Sequence, residues 1–295
     1  PSISSTSGEV ILTGGTEIRG AIRSRNGIYI WTDNAMYTQS FVGPPFIFNF
    51  QQVGTNCGLI APHAAIDVDG VAYWMGENNF YAFDGRVRNL QCTVRRYLYD
   101  SFNMVNKDKV FAGINSEFNE IIWFYPSQNS LEPDSYIVYN TKENFWTFGS
   151  SFYSTLADHS VYDNTIATGA VSATADNYIW NNEPQNVYNG DGKILTSFLE
   201  SGEFDIEDGN NILFIDRIIP DYTITNNGEI NLTLSFQEYP NGPAITKGPY
   251  TVQQSTKKID LRGRGRQAKI IVSASSDSSW RWGSIRANIQ PDGMR

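Results

Sequence analysis

Two pairs of carboxylates sit close enough in this sequence to act together: Asp67 and Asp69 in IDVDG, and Glu117 and Glu120 in SEFNE. Hydrolysis of a glycosidic bond uses such a pair, about 5–10 Å apart across a cleft, one as proton donor and one as base or nucleophile. Acidic residues beside turn glycines more commonly hold the turn itself. The pairs are therefore read first as turn residues and second as catalytic ones.

Other chemistry is sparse. The only histidines are His63 and His159, and neither has a metal-ligand spacing or an adjacent nucleophile. Cys57 and Cys92 form no CxxC pattern, so they read as reduced core thiols rather than as a bridge or a zinc site. No serine-nucleophile elbow or phosphate loop occurs, and LTGGT at Leu12–Thr16 reads as a turn. IDVDG lacks the downstream ligands of a calcium loop. SSDSSW at Ser275–Trp280 resembles the Asp-box turn of sialidases, but lacks its glycine and occurs once. No cofactor and no metal are expected, and the expectation at this stage is a protein that is not an enzyme.

The densest positive charge is LRGRGRQAKI, Leu261–Ile270, with Arg262, Arg264 and Arg266 alternating with glycine. Side-chain alternation places Ala268, Ile270, Val272 and Ala274 on one strand face. The arginines share that parity, whereas Ile259 and Leu261 have the opposite one. The buried face must therefore switch between Leu261 and Ala268. Gly263 and Gly265 are the expected place for a bulge. The arginines are candidates for an interface between subunits or for a DNA-facing rim.

These residues must be positioned by β-structure. Aromatics, Asn, Ser, Thr and Gly are abundant and long helix-forming runs are missing; one short helix is expected near Thr93–Phe102. The net charge of −9 argues against a protein that coats DNA generally. No apolar run approaches the roughly 20 residues of a membrane-spanning helix. The chain opens PSISSTSGEV without an initiator Met, which suggests part of a longer polypeptide.

A repeat organises the first two thirds. GIYIWTDNAMY (27–37) and GVAYWMGENNF (70–80) each run from glycine through a strand to Trp, then a polar connection, then an aromatic. Looser copies span 119–146 and 177–194. The strand-end tryptophans Trp31, Trp74, Trp123 and Trp180 lie 43, 49 and 57 residues apart. Propeller blades recur at about 40–50 residues, so the last interval requires an insertion. These four tryptophans are the expected blade-core aromatics.

From Leu195 onward the pattern changes to longer strands, expected at 196–203, 213–222, 229–238, 257–261, 267–274 and 282–289. NNGE (226–229) reads as a hairpin turn and PNGP (240–243) as a second turn. The fold class expected is all-β: β-propeller-type blades over 1–194, followed by a β-sandwich-like or closing-blade region over 195–295.

Linked segments then coincide with a known family. QQVGTNCGLIAPHAAIDVDGVAYWMGENNFYAFDGRVRNL, KVFAGINSEFNEIIWFYPS, DSYIVYNTKENFWTFGS, DRIIPDY, LRGRGRQAKI and SSWRWGSIRANIQPDGMR resemble the tail nozzle proteins of short-tailed bacteriophages, also described as tail tubular or packaged-DNA stabilisation proteins. The resemblance runs from about Ile22 onward. It implies a structural component of the virion tail, assembled in the host cytoplasm as a homohexameric ring of propeller subunits. Its implied partners are copies of itself, the portal-adaptor ring proteins, tail fibres or a needle, and double-stranded DNA passing through the lumen without sequence-specific binding. The competing reading is a propeller enzyme or lectin-like tail protein acting on host surface polysaccharide. A third, a general nucleic-acid binder, would require steeply salt-dependent affinity.

Overall fold

The structure, a computed structural model, describes residues 8–159, 161–162, 164–170, 176–182, 189–190, 193–194, 196–225, 227–275 and 278–294. The chain forms two compact units, residues 1–184 and 185–295. Leu195, where the composition changes, lies outside the described residues.

The first unit is a succession of antiparallel meanders. Blade 1 is β1 (Ile18–Ser24), β2 (Gly27–Thr32), β3 (Ala35–Phe41) and β4 (Phe48–Thr55), paired in chain order. Blade 2 repeats this with β5 (Ala65–Val68), β6 (Val71–Met75), β7 (Phe80–Phe83) and β8 (Val87–Leu90). A short helix, α1 (Arg95–Asp100), and a 3₁₀ segment at Met104–Lys109 lead to blade 3. That blade comprises β9 (Phe111–Asn115), β10 (Glu120–Tyr125), β11 (Ser135–Asn140) and β12 (Trp146–Ser150). Among the described residues, blade 4 comprises β13 (Phe152–Ala157), β14 (Ile166–Ala170) and β15 (Asn177–Asn181).

The first strands of successive blades lie side by side, β1 beside β5, β5 beside β9 and β9 beside β13. A parallel bridge from His63 to Phe111, with Ala112 N–H donating to the His63 carbonyl at 2.8 Å, ties blade 2 to blade 3. Sequential meanders whose first strands adjoin in parallel are the arrangement of β-propeller blades.

Each blade is apolar on both faces, and the neighbouring blade covers it. Trp31 of blade 1 meets Trp74 of blade 2 at 5.3 Å between ring centroids, and Tyr29 meets Phe83 at 5.2 Å. Phe80 of blade 2 packs on Trp123 at 4.8 Å and on Trp146 at 4.7 Å in blade 3. Phe124 of blade 3 faces Tyr153 of blade 4 at 5.9 Å. Trp31, Trp74 and Trp123 are wholly buried.

The repeat is real, but its tryptophans are not equivalent. The β5–β6 turn is Asp69–Gly70, so Gly70 precedes its strand, whereas Gly27 is already the first residue of β2. Counted from the turn, Trp31 stands one residue further along than Trp74. It therefore points to the following blade, while Trp74 and Trp123 point to the preceding one. Trp74 and Trp123 donate their indole N–H to Cys57 and Ala64 carbonyls at 2.8 and 3.0 Å. The Trp31 N–H is buried with no acceptor among the described residues. Trp180 is a second correction. It lies on the third strand of its blade, β15, and is only part-buried; the long interval of 57 residues reflects one strand's displacement rather than an insertion.

The second unit begins with a short two-stranded pair, β16 (Asn189–Gly190) and β17 (Lys193–Ile194). Two larger sheets follow. One is ordered β18 (Ser197–Glu200), β23 (Gln267–Ala274), β20 (Ile230–Gln237), β21 (Ala244–Val252); the other is β22 (Ile259–Gly265), β19 (Asn211–Ile224), β24 (Trp280–Met294). Their inner faces share one aliphatic core around Leu213, Ile215, Leu232, Leu234, Phe236 and Val272, the arrangement of a β-sandwich.

Strand β21 escaped the sequence reading because Gly248 and Pro249 interrupt its pattern. NNGE is not a hairpin: β19 and β20 belong to different sheets, so the chain crosses the sandwich between them. The hairpin lies instead at PNGP, between β20 and β21.

The burial of β22 alternates, with Ile259, Leu261, Gly263 and Gly265 inside, and that of β23 alternates with Ala268, Ile270, Val272 and Ala274 inside. The expected face switch is therefore present. It falls at Arg266, a bend where the chain leaves one sheet for the other and where the Arg266 N–H donates to Gln237 O at 2.8 Å. A register shift does fall beside Gly263, between its pairing with Ile215 and that of Asp260 with Arg217, but the glycines do not serve it through backbone freedom. Neither has positive φ; a Cβ on Gly263 would stand 2.1 Å from the Phe236 ring.

Two stability outcomes follow. Trp123→Ala should lower the unfolding free energy by about 3–5 kcal/mol, and Trp180→Ala by clearly less, as read by urea denaturation. Gly263→Val should destabilise by at least about 1–3 kcal/mol through overpacking against Phe236, whereas Gly85→Ala on an open turn should perturb only the backbone.

Candidate functional site

Alternation on β19 and β22 places a charged surface on the outer side of their sheet. Arg217, Asp260, Arg262 and Arg264 are exposed, and their strand neighbours are buried except Asp216, half-buried at a register shift between Ile215 and Arg217. Arg217 Nε lies 2.7 Å from Asp260 Oδ1, and Lys258 Nζ lies 2.9 Å from Asp260 Oδ2. Hydrogen bonds from Lys258 and then Arg217 hold the Asp260 carboxyl below the usual carboxylate range, and the bond to Asp260 raises the Arg217 guanidinium. Asn288 Nδ2 donates to Asp216 Oδ1 at 2.8 Å, and Arg264 Nε lies 3.4 Å from Asp292.

An open groove of about 670 Å³ runs along this face, lined by Phe214, Asp216, Arg217, Asp260, Leu261 and Arg262. Arg262 and the part-buried Arg266 form no ion pair among the described residues. The three arginines thus separate: Arg264 is paired, Arg262 edges the groove, and Arg266 marks the crossing between sheets. Arg217, Lys258, Arg262 and Arg264 stand against Asp216, Asp260 and Asp292. Basic and acidic groups interleave on this surface, which suits reciprocal ion pairing better than a continuous grip on phosphates.

A second, smaller depression of about 190 Å³ lies in the first unit, lined by Asp33, Asn34, Asn56, Gly58, Glu77, Asn78 and Tyr81. Asp33–Asn34 and Glu77–Asn78 occupy the same turn, between the second and third strands, in blades 1 and 2. Asp33 accepts hydrogen bonds from Thr16 Oγ1 at 2.7 Å and Thr16 N at 2.8 Å, and these hold its carboxyl below the usual range. Glu77 pairs with Lys107. The Tyr81 hydroxyl donates to Asn56 O at 2.9 Å, and its ring stacks on Trp74 at 5.4 Å. Asp33 is ionised at neutral pH, which suits a base or hydrogen-bond acceptor and not a proton donor. The sequence carries the signal as an acid–Asn pair shortly after Trp31 and after Trp74.

The carboxylate pairs named from sequence occupy separate turns. Asp67 Oδ1 accepts from Gly70 N–H at 3.1 Å, and Asp69, at φ 53°, lies 3.5 Å from Arg25. Glu117 is exposed in the β9–β10 turn, and Glu120 is part-buried at the start of β10. His63 acts through its backbone between blades, and His159 Nδ1 accepts from Val161 N–H at 3.2 Å. LTGGT clasps blade 1, with Gly14 N–H donating to the Tyr37 hydroxyl at 2.6 Å. Asp277 of SSDSSW lies outside the described residues. Both thiols are free, and burial pushes each up to about 11. Among the described residues no helix is long and apolar enough to cross a membrane.

No family model matches this chain, and no curated protein matches it. Solved structures similar to it include an exo-beta-1,3-galactanase from Phanerochaete chrysosporium with beta-1,3-galactotriose, at 10% identity over 91% of this chain and 80% of that one, with a TM-score of 0.30. The galactose complex of that enzyme gives 8% identity, the same coverages and 0.30. A protein described as a glycoside hydrolase gives 12% identity over 89% and 83%, with 0.27. The expectation that the chain is not an enzyme is corrected by this finding, because the similar solved proteins are glycoside hydrolases. At these identities and scores they assign no residue, and the blade architecture rests on its own strand order.

Two measurements check the site chemistry. The Asp260 carboxyl should titrate below the usual range, so its ion-pair contribution is present at neutral pH and disappears as pH falls through that lowered value; Lys258→Ala should move the midpoint upward in an NMR titration. Alkylation of Cys57 and Cys92 at pH 8 should be slow in the folded chain and rapid in denaturant, since a thiol titrating near 11 is almost wholly protonated there.

Proposed function

We propose that this chain is a nozzle-type tail subunit of a short-tailed bacteriophage, forming a homohexameric ring at the tail tip that retains packaged DNA and conducts it during ejection. The observation that carries the reading is the run of linked segments, from QQVGTNCGLI to QPDGMR, that resembles this family over most of the chain. Stacked aromatic blades, each rigidly covered by the next, suit a part that must hold its shape around a passing duplex. A net charge of −9 reduces adhesion to phosphate. The interleaved charges around Arg217, Asp260, Arg262 and Arg264 suit contacts between subunits or with adaptor and fibre proteins. In this reading the protein belongs to the virion tail and meets double-stranded DNA without reading its sequence.

A second reading, a propeller enzyme or lectin-like tail protein acting on host surface polysaccharide, is favoured by the polar depression. Asp33, Glu77, three asparagines and Tyr81 there are the side chains that bind sugar hydroxyls.

Native mass spectrometry and negative-stain imaging should show six-chain rings with an axial hole, and little DNA binding at physiological salt. Arg262, Arg264 and Arg266 changed together to Gln separates two roles: lost rings place them at an interface, and intact rings with altered DNA retention place them at the lumen. Release of sugars from host envelope polysaccharide, abolished by Asp33→Asn and Glu77→Gln, would replace the first reading with the second.

A further inference from the structure

The two sheets of the second unit each turn a short row of like charge outward. Arg262 and Arg264 project from the outer side of β22, where Leu261, Gly263 and Gly265 between and beside them are buried. Arg264 Nε lies 3.4 Å from Asp292, and Arg262 forms no ion pair among the described residues. Arg281 and Arg286 of β24 stand on the same side, aligned on the outward Thr223 and Ile219 of β19, and they too form no ion pair there. The acids outside an ion pair on that side, among the described residues, are Asp221 and Asp216, which Asn288 hydrogen-bonds. The unpaired charge is therefore in positive excess.

The other sheet continues past β18 along β23. Ser201 N–H donates to Ile270 O and Phe204 N–H to Ala268 O, both at 2.9 Å. Phe204 packs inward on the aliphatic core, so its exposed neighbours Glu203 and Asp205 face out. Neither forms an ion pair among the described residues, and the nearby Lys269 is held by Glu200 at 2.7 Å. The two rows thus lie on opposite outer sides of one sandwich, and no ion pair joins them within the chain. Each row repeats every second residue of extended backbone, about 6.6 Å, so two carboxylates can meet two arginines one to one. We propose that Glu203 and Asp205 of one chain dock on Arg262 and Arg264 of a second copy. A phosphate backbone fits the arginine row less well, because Asp260 and Asp292 interrupt it. A contact between two different surfaces is heterologous, and it closes into a ring or runs on as a filament according to its rotation. The inference rests on the ring reading above and deepens it by naming the two surfaces.

The experiment uses the full chain in two charge-reversed forms, Glu203→Lys with Asp205→Lys, and Arg262→Glu with Arg264→Glu. All four positions are exposed, so folding should survive, checked as an unchanged melting temperature. Sedimentation should show each form alone losing the assembly of the parent chain, because like charges then meet. Mixed in equal amounts, the two forms should assemble again, since each supplies the complement of the other. A chain carrying all four substitutions should assemble by itself, a rescue that a merely structural role would not give. Loss in both forms with no rescue by mixing or by the fourfold variant would overturn the pairing. Six-chain rings that persist in both forms would overturn the docking surfaces and leave the ring reading intact. Filaments lost in each form and rescued by mixing would support the surfaces and overturn the sixfold ring. A parent chain that is monomeric at all concentrations would overturn both.

Discussion

The blade unit depends on one constraint: a meander of four short strands has two apolar faces and cannot hide either alone. Tyr73 looks toward Tyr139 in blade 3, while Trp74, one residue on, looks toward Trp31 in blade 1. Adjacent residues of a strand necessarily serve opposite neighbours, so blades 2 and 3 are each pinned between two others. Large rings suit this task because wedge-shaped gaps between twisted sheets demand bulky, rigid side chains. Phe80 fills one such gap by touching both Trp123 and Trp146.

The C-terminal unit solves the same problem differently. Its sheets cover one another, so each needs only one apolar face, and the free face can carry charge. Phe236 reaches across the sandwich to the bare backbone of Gly263, and Arg266 lies where the chain passes between sheets. The outer row of Asp260, Arg262 and Arg264 is a consequence of that alternation. Because β22 is an edge strand, its charges also guard an exposed row of backbone groups against unwanted pairing.

Much of this was legible beforehand, where the information is local. The all-β class, the short helix at Arg95–Asp100, and the change of inside face between Leu261 and Ala268 follow from residue types and period alone. What failed was non-local. NNGE has the residues of a hairpin turn, but whether the next strand pairs with its neighbour or crosses to another sheet is decided by the strands it finds. Asp33–Asn34 and Glu77–Asn78 were visible as residues, yet only folding brings those turns beside Tyr81 and Asn56.

The sequence by itself determined that aromatic strands recur at blade-like intervals, and that Arg262, Arg264 and Arg266 must straddle a change of face. Tertiary structure decided which way each tryptophan points. One residue's difference in turn position sends Trp31 forward and Trp74 backward, so that they meet, because side chains alternate strictly along a strand. It also decided what the glycines are for. A missing Cβ at Gly263 reads in sequence as freedom of the backbone. In the folded chain it is space, filled by a ring from the opposite sheet.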